Sequence, residues 1–264
     1  MKVLVINLDS AKNRYDFQTQ QLSSYNLDYE FLSATSTKDI KPETYQQHYH
    51  DWQRPLKETE VACYYSHRSA WKKVLDDNQP ILILEDDALL SKYIVQLLPA
   101  LEKKQDADLI NLENRGRKKF VSKVGRPIAC NSQLLQLYQD RTGAACYILW
   151  PSGAQKLLEC EQKNGIALAD AHITACHTLN AYQVEPSAAI QLDYCEHYQI
   201  PNPTNQTLAQ STVSSRFNNK GGWLFWLKRI YHQIKLGWRQ LRLLRIAQRR
   251  YIRINVKDFY QQTD

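Results

Sequence analysis

The sequence predicts an α/β sandwich with a mostly parallel central sheet, followed by a basic amphipathic helical tail. Three observations point there. Through the first half of the chain, apolar runs of strand length alternate with stretches of helical period, the pattern of strand–helix–strand units. One run, Ile81-Leu82-Ile83-Leu84, is apolar at every position, as a strand covered on both faces must be. From Trp223 onward, apolar residues recur at three- and four-residue spacing opposite a basic face.

Residues 2–8 form the first strand, and a helix follows to about Tyr25, with Asp9 or Ser10 placed to accept its free amide hydrogens. Residues 28–32 read as a second strand. Residues 35–57 are polar, contain Pro42 and Pro55, and read as a long loop with one helical turn; loops of that length are usually functional or mobile. Glu58–Asp77 is a helix that buries Ala62, Tyr65, Ser69, Trp71 and Val74 and stops at Asn78-Gln79-Pro80. After the 81–84 strand come a helix over 92–104 and a strand over 108–112. Residues 115–124 are basic and loop-like, with Arg115, Arg117, Lys118 and Lys119 read either as solvated charges or as contacts to an anionic acceptor. Residues 144–150 form a strand, 151–162 a helix opening on proline at its favoured first position, 167–179 a helix, and 182–185 and 189–192 short strands.

Composition excludes several classes. The 264 residues are 43% hydrophobic and 23% charged, with 8 Gly, 9 Pro and 6 Cys, which rules out collagen, low-complexity linkers and disulfide-dense mini-proteins. No apolar run approaches the ~20 residues that span a bilayer. The net charge of +7 is unevenly spread: residues 216–257 hold 12 of the 34 Lys+Arg and no acidic residue, leaving 22 basic against 25 acidic residues in 1–215. The chain therefore divides into a mildly acidic body, 1–215, and a basic extension, 216–264. In the extension, Leu227, Ile230, Ile234, Trp238, Leu241 and Leu244 form a stripe opposite Lys228, His232, Lys235, Arg239, Arg242 and Arg249. That composition suits a helix lying on anionic lipid. Two other readings are a stripe packed on the body and a grip on nucleic acid; the regularity of the apolar stripe favours lipid, so no nucleic acid partner is expected.

The apolar N-terminal stretch is shorter than a signal-peptide core and is interrupted by Asn7 and Asp9. The expected location is cytoplasmic, peripheral on the inner face of the cytoplasmic membrane. Six cysteines without a Cys-x-x-Cys pair then argue against a disulfide framework or a zinc ribbon. His172, Cys176 and His177 have metal-ligand spacing but no second ligand pair, and read as filler.

The chemistry concentrates in Glu85-Asp86-Asp87, at the end of the 81–84 strand. Ligands of open α/β sheets bind beyond the carboxyl ends of strands, and adjacent carboxylates are tolerable where a hard cation sits. Off an extended segment Glu85 and Asp87 point the same way and Asp86 the other. The alternative is a solvated acidic junction.

Asn7-Leu8-Asp9 followed by Arg14, then Ser66-His67-Arg68-Ser69-Ala70-Trp71 upstream of Glu85-Asp86-Asp87, then Thr142-Gly143-Ala144-Ala145-Cys146-Tyr147, resemble glycosyltransferase family 25 in order and spacing over about residues 1–192. This is the lipopolysaccharide and lipooligosaccharide biosynthesis family that also contains the collagen galactosyltransferases. The resemblance implies a GT-A-type nucleotide-binding sandwich and an inverting, metal-dependent transferase. It would move a hexose, galactose from UDP-galactose with glucose as the second choice, to a lipid-linked oligosaccharide. It implies Mn²⁺ or Mg²⁺ at Asp87 and Glu85. Donor contacts would come from Asn7, Leu8, Arg14, Ser66, His67, Glu85, Asp86 and Gly143, and Asp170 would be the catalytic base. Each has a plainer reading: Arg14 paired with Asp16 or Glu30, His67 a satisfied interior histidine, Asp170 a helix-initiating aspartate. Trp71 reads as core. The alternative function is a nucleic-acid-binding protein or metal-dependent nuclease using the basic tail.

Overall fold

A computed structural model describes residues 1–139, 143–203 and 222–260. Chain order is β1 (Lys2–Asn7), α1 (Lys12–Ser24), β2 (Tyr29–Ser33), α2 (Pro42–His48), α3 (Glu58–Asp77), β3 (Ile81–Glu85), β4 (Ala88–Leu90), α4 (Ile94–Glu102), β5 (Leu109–Asn111) and β6 (Lys119–Ser122). There follow β7 (Arg126–Pro127), β8 (Gln133–Gln139), β9 (Cys146–Leu149), α5 (Pro151–Asn164), α6 (Ala169–Ala175), β10 (Ala181–Glu185), β11 (Ala189–Gln191), α7 (Trp223–Leu243) and β12 (Ala247–Arg250). Thr142 of the third resemblance segment and the 215/216 boundary lie outside the described residues.

Ten strands make one sheet in the order β12-β6-β8-β10-β5-β9-β3-β1-β2, with β7 beside β8; β4 and β11 pair separately. The apolar runs of β1 and β3 follow from cover on both faces. Val3, Val5, Leu82 and Leu84 point into one core with Leu22 of α1 and Ile94 and Leu97 of α4. Leu4, Ile6, Ile81 and Ile83 point into another with Val61, Tyr64, Trp71 and Val74 of α3. Alternate side chains of one strand feed opposite layers, so no position along it tolerates a polar group.

The sheet is mixed rather than mostly parallel. β1 runs parallel to β2 and β3, and β5 to β10, but β9 is antiparallel to both β3 and β5, and β8 is antiparallel to β10 and β6. A parallel neighbour needs a crossover, usually a helix. Between β5 and β9 the described residues hold only strands and loops, so β9 returns antiparallel.

Local expectations shift in several places. Neither Asp9 nor Ser10 caps α1; Ala11 sits at its start, and Asp9 Oδ1 accepts from the Ser33 hydroxyl at 2.9 Å instead. The 35–57 loop contains a 3-10 turn at Thr37–Asp39 and α2. α3 buries Tyr64, His67 and Ala70 rather than Ser69, which is exposed. Residues 119–122 are a strand, and Lys119 is 1% exposed, its ammonium donating to Gln183 Oε1 at 2.7 Å and to the Glu113 carbonyl at 3.1 Å. It is therefore no solvated loop charge. His172 is a core residue stacked on Trp71, with its Nε2 3.0 Å from the Leu157 carbonyl.

The extension is not helical throughout. α7 ends at Leu243, and β12 then pairs antiparallel with β6. Arg250 Nη2 donates to Glu185 Oε2 at 2.8 Å, and the Arg253 amide to Oε1 at 2.9 Å, which ties the stretch after α7 to β10. Along α7 the apolar stripe faces outward: Ile234, Trp238 and Leu241 are exposed. The contacts to the body come from other positions. Phe225 stacks on His50 with centroids 5.2 Å apart, Lys228 donates to the His50 carbonyl, and Arg239 donates to the Tyr138 carbonyl at 3.0 Å. Among the described residues no helix is long and apolar enough to cross a membrane.

Candidate active site

The carboxyl ends of β1 and β3 and the first turns of α3 and α6 enclose a cleft of about 580 Å³, a size typical of small-ligand sites. Leu8, Arg14, Ser66, His67, Glu85, Asp86, Asp87, Gly143 and Asp170 all line it. Asn7 does not: its side chain is buried and donates to the Leu8 carbonyl at 2.8 Å, shaping the turn that leaves β1.

The three carboxylates at the end of β3 are held in different ways. Asp86 pairs with Arg14, Nη1 to Oδ1 at 2.7 Å, so Arg14 engages the triplet itself rather than Asp16 or Glu30. Burial pushes the Asp86 carboxyl up against that pairing. Glu85 and Asp87 share Gln191, whose Nε2 donates to Glu85 Oε2 at 3.0 Å and to Asp87 Oδ1 at 3.3 Å. The other Glu85 oxygen lies 3.1 Å from His67 Nε2. Burial opposes the charge on Glu85 most strongly, but the His67 imidazole together with the Arg115 and Arg14 guanidiniums outweighs it and holds this carboxyl below its ordinary range.

His67 belongs to a buried chain. Its Nδ1 lies 3.0 Å from the Tyr147 hydroxyl, which also accepts from Trp71 Nε1 at 2.9 Å. A carboxylate only accepts, so a neutral His67 carries its proton on Nε2 and receives the Tyr147 proton at Nδ1. Trp71 is core, as its residue type suggests, yet it holds the Tyr147 hydroxyl against which the His67 ring beside Glu85 rests.

Asp87 is the carboxylate least provided for. Arg14 Nη1 is 4.0 Å away and Gln191 is its long contact. Burial, then the neighbouring Glu85 charge, push it up to about 7. A buried carboxyl in that state is stabilised by a proton or by a cation, and an all-oxygen donor set suits a hard divalent ion. The site therefore fits Mn²⁺ or Mg²⁺, with Asp87 the residue to hold it. Glu85, with donors already on both oxygens, stands in support. A second group, Cys63, His67 and Glu85, has donor atoms within 4.8 Å of one another. Burial and nearby carboxylates push the Cys63 thiol well above its ordinary range, which makes it a poor ligand for a hard cation.

Gly143 forms the far wall. Its φ is +110°, and a Cβ there would fall 2.8 Å from Glu113 Oε2, so both backbone and space demand glycine. Glu113 is fully buried, accepts from the Ala145 amide at 2.8 Å, and is pushed up to about 8 by burial and the Glu85 charge. Ser66 accepts from the Thr35 amide and donates to the Ala62 carbonyl, both at 2.9 Å, pinning the segment after β2 onto α3. Asp170 sits in the first turn of α6, where Oδ1 accepts from the Ala171 amide at 2.7 Å, while its side chain borders the cleft.

Gln191 is a cleft residue that sequence reasoning missed, and Arg115 is one that it read either as a solvated charge or as a contact to an anionic acceptor. Arg115 lines the cleft and pairs with Asp193 at 2.9 Å. Its only sequence signal was a basic stretch directly after a strand. Gln191 carried none beyond being polar at the end of a short apolar strand.

Fold and cleft together define an α/β domain with an acidic, cation-suited site at the carboxyl end of a buried strand. A family model described as glycosyltransferase family 25 (LPS biosynthesis protein) matches residues 1–173, and the chain belongs to that family. Such membership brings a nucleotide-sugar donor and an oligosaccharide acceptor. The chain is 26% identical over 203 residues to the lipooligosaccharide biosynthesis protein lic2B of Haemophilus influenzae, covering 71% of this chain and 74% of that protein. It is also 26% identical to procollagen galactosyltransferase 2 of Homo sapiens, over 60% of this chain but 27% of that protein. Among solved structures, a glycosyltransferase involved in the glycosylation of the major capsid of PBCV-1 overlaps 63% of this chain and 67% of its own, with 8% identity and a TM-score of 0.33. An inositol-1-phosphate CTP transferase from T. maritima overlaps 79% of this chain and 93% of its own, with 10% identity and a TM-score of 0.42.

Proposed function

We propose that this glycosyltransferase moves galactose from UDP-galactose, with Mn²⁺ or Mg²⁺, onto a sugar of a lipid-linked lipopolysaccharide or lipooligosaccharide core, with inversion, at the inner face of the cytoplasmic membrane. The observation that carries the reading is Asp87, a buried carboxylate beside Glu85 whose nearest cationic group among the described residues, Arg14 Nη1, is 4.0 Å away, at the carboxyl end of a central strand.

A cation held there supplies charge neutralisation for the departing diphosphate. Arg14 and Arg115 border the same cleft and add positive charge where the diphosphate would lie. His67, Arg115 and Arg14 keep Glu85 ionised, and Gln191 and His67 orient it. Asp170 accepts the proton of the acceptor hydroxyl as that oxygen bonds to the anomeric carbon; the bond to UDP breaks on the opposite face, which inverts the centre. The outward apolar stripe of α7, with lysines and arginines flanking it, supports docking on anionic lipid, where a lipid-linked acceptor resides.

The test is transfer and thermal stability with UDP-galactose, with and without Mn²⁺. Metal-dependent stabilisation of about 2.7 kcal/mol is expected at 100 times the dissociation constant. Asp87→Ala should fold yet transfer at least about a hundredfold more slowly. Full transfer by that variant overturns the metal assignment, and preference for another UDP-hexose overturns galactose.

A further inference from the structure

Cys63 and His67 stand one turn apart on α3 and Glu85 ends β3, so helix and strand bring a thiol, an imidazole and a carboxylate into one cleft. Their ligand atoms lie within 4.8 Å of one another. His67 is 1% exposed, while Cys63 and Glu85 are partly exposed to the cleft, which gives an ion a way in. Cys63 is a free thiol. Four-coordinate Zn²⁺, with bonds of about 2.0–2.3 Å, holds its ligand atoms about 3.3–3.6 Å apart. The 3.1 Å between His67 Nε2 and Glu85 Oε1 is close to that already. The thiol has only about 1 Å to close. The donor set also selects the metal. Sulfur and nitrogen are the softer donors that Zn²⁺ takes and Mn²⁺ or Mg²⁺ does not, whereas the oxygens at Asp87 suit the hard ions. Burial, then the Glu85, Asp170 and Asp87 charges, push the bare thiol up, but those same charges attract a dication, and a thiol that coordinates it gives up its proton. A thiolate, a carboxylate and Zn²⁺ then sum to no net charge.

We propose that Cys63 Sγ, His67 Nε2 and Glu85 Oε1 bind Zn²⁺, with a fourth position open to the cleft, and that its occupation inhibits transfer. Binding releases one proton, from the Cys63 thiol. The His67 proton passes from Nε2 to Nδ1, which then donates to the Tyr147 oxygen. Glu85 Oε2 keeps its bond from Gln191. The ion places positive charge beside Asp87 and draws Glu85 toward Cys63, and both effects weaken the hold on a hard cation.

The metal site is independent of donor and acceptor; its effect on transfer rests on the reading above, and the test keeps the two apart. The probe is Co²⁺, which takes zinc positions and reports a thiolate ligand by a near-ultraviolet charge-transfer band, added to the full chain without sugar nucleotide. One equivalent should produce that band together with the intense visible absorption of a four-coordinate ion, and Zn²⁺ should erase both. Cys63→Ala, and Cys63→Ser, which keeps the side chain's size, should lack the band. Losing even an outer partner of a metal ligand costs about 10–100-fold in affinity, so both variants should bind Zn²⁺ at least about tenfold more weakly. With Mn²⁺ present, Zn²⁺ should inhibit transfer by the wild type, while Cys63→Ala transfers normally and needs at least about tenfold more Zn²⁺ for the same inhibition. No band in the wild type overturns the site. A band of equal strength in the variants does so too, since it would belong to another of the six cysteines. Equal inhibition of wild type and variant overturns the inhibitory role and puts the ion at Asp87. A band lost in the variants, in a chain that transfers no galactose, supports the site and overturns the galactosyl reading instead.

Discussion

One amide nitrogen, Gln191 Nε2, lies 3.0 Å from Glu85 and 3.3 Å from Asp87, bridging two carboxylates that would otherwise face each other unscreened. The bridge joins the central β3 to the end of β11. A hydrogen bond of this kind orients a metal ligand without touching the metal. Gln191→Leu should therefore raise the Mn²⁺ concentration for half-maximal activation about 10–100-fold. Titration of transfer rate against Mn²⁺ checks this; an unchanged midpoint removes Gln191 from the site's support.

Asp87 makes the metal-free protein pH-sensitive in a definite direction. Its folded value of about 7 lies above the ordinary 3.8 of an unfolded aspartate. Between those values the folded state holds a proton that the unfolded state has lost, so stability falls as pH rises through that window and the loss is complete above it. In chelator, wild type should lose more stability than Asp87→Asn between pH 5 and pH 8, and Mn²⁺ should abolish the difference. Melting curves of both proteins across that range decide it; parallel curves would mean that Asp87 is not strained.

Glu185 behaves oppositely. Arg250, the Arg253 amide and Gln133 overcome its burial and hold it at about 2, below the ordinary 4.5. Its stabilisation is present above the unfolded value and is lost as pH falls from 4.5 toward 2. Removing one partner of a buried pair typically costs about 3–5 kcal/mol. Arg250→Ala should approach that cost near neutrality and flatten the acid limb of unfolding. It should also release β12 from β6, read as faster amide exchange at residues 247–250. Exchange rates equal to wild type would show that the ladder alone holds the strand.

The stripe on α7 is testable apart from catalysis. Trp238 and Leu241 are 64% and 62% exposed, so charge there disturbs no core. Trp238→Glu and Leu241→Glu should each weaken co-sedimentation with anionic vesicles at least about tenfold, since burying one such side chain is worth roughly 1.5–3 kcal/mol. Transfer to a soluble oligosaccharide should persist. Undiminished vesicle binding would point to a protein partner for this face.

Much of the scaffold was legible because its elements are locally specified. The α3 helix is bounded as its pattern and the Asn78-Gln79-Pro80 stop require, and the unbroken apolar run of β3 announced cover on both faces before either cover was known. The acidic triplet at its end needed no fold to be noticed, and Trp71 was readable as core from its place on the helix. What the sequence could not express is pairing. Strand direction depends on how the chain returns, so β9 passed for a parallel strand, and β8, Gln133–Gln139, passed unread because its glutamines hide an alternation that only burial reveals. Lys119 and Arg115 stood in one basic run; tertiary structure alone sent the first into the core and the second to the cleft. The same holds for the stripe on α7. Its period came from local spacing, but whether it faced the body or solvent depended on Phe225 and Arg239 finding partners some hundred or more residues away. Local propensity and period act over a few neighbours and are written in the sequence; register, burial and the meeting of distant carboxylates, amides and imidazoles arise only when the layers pack.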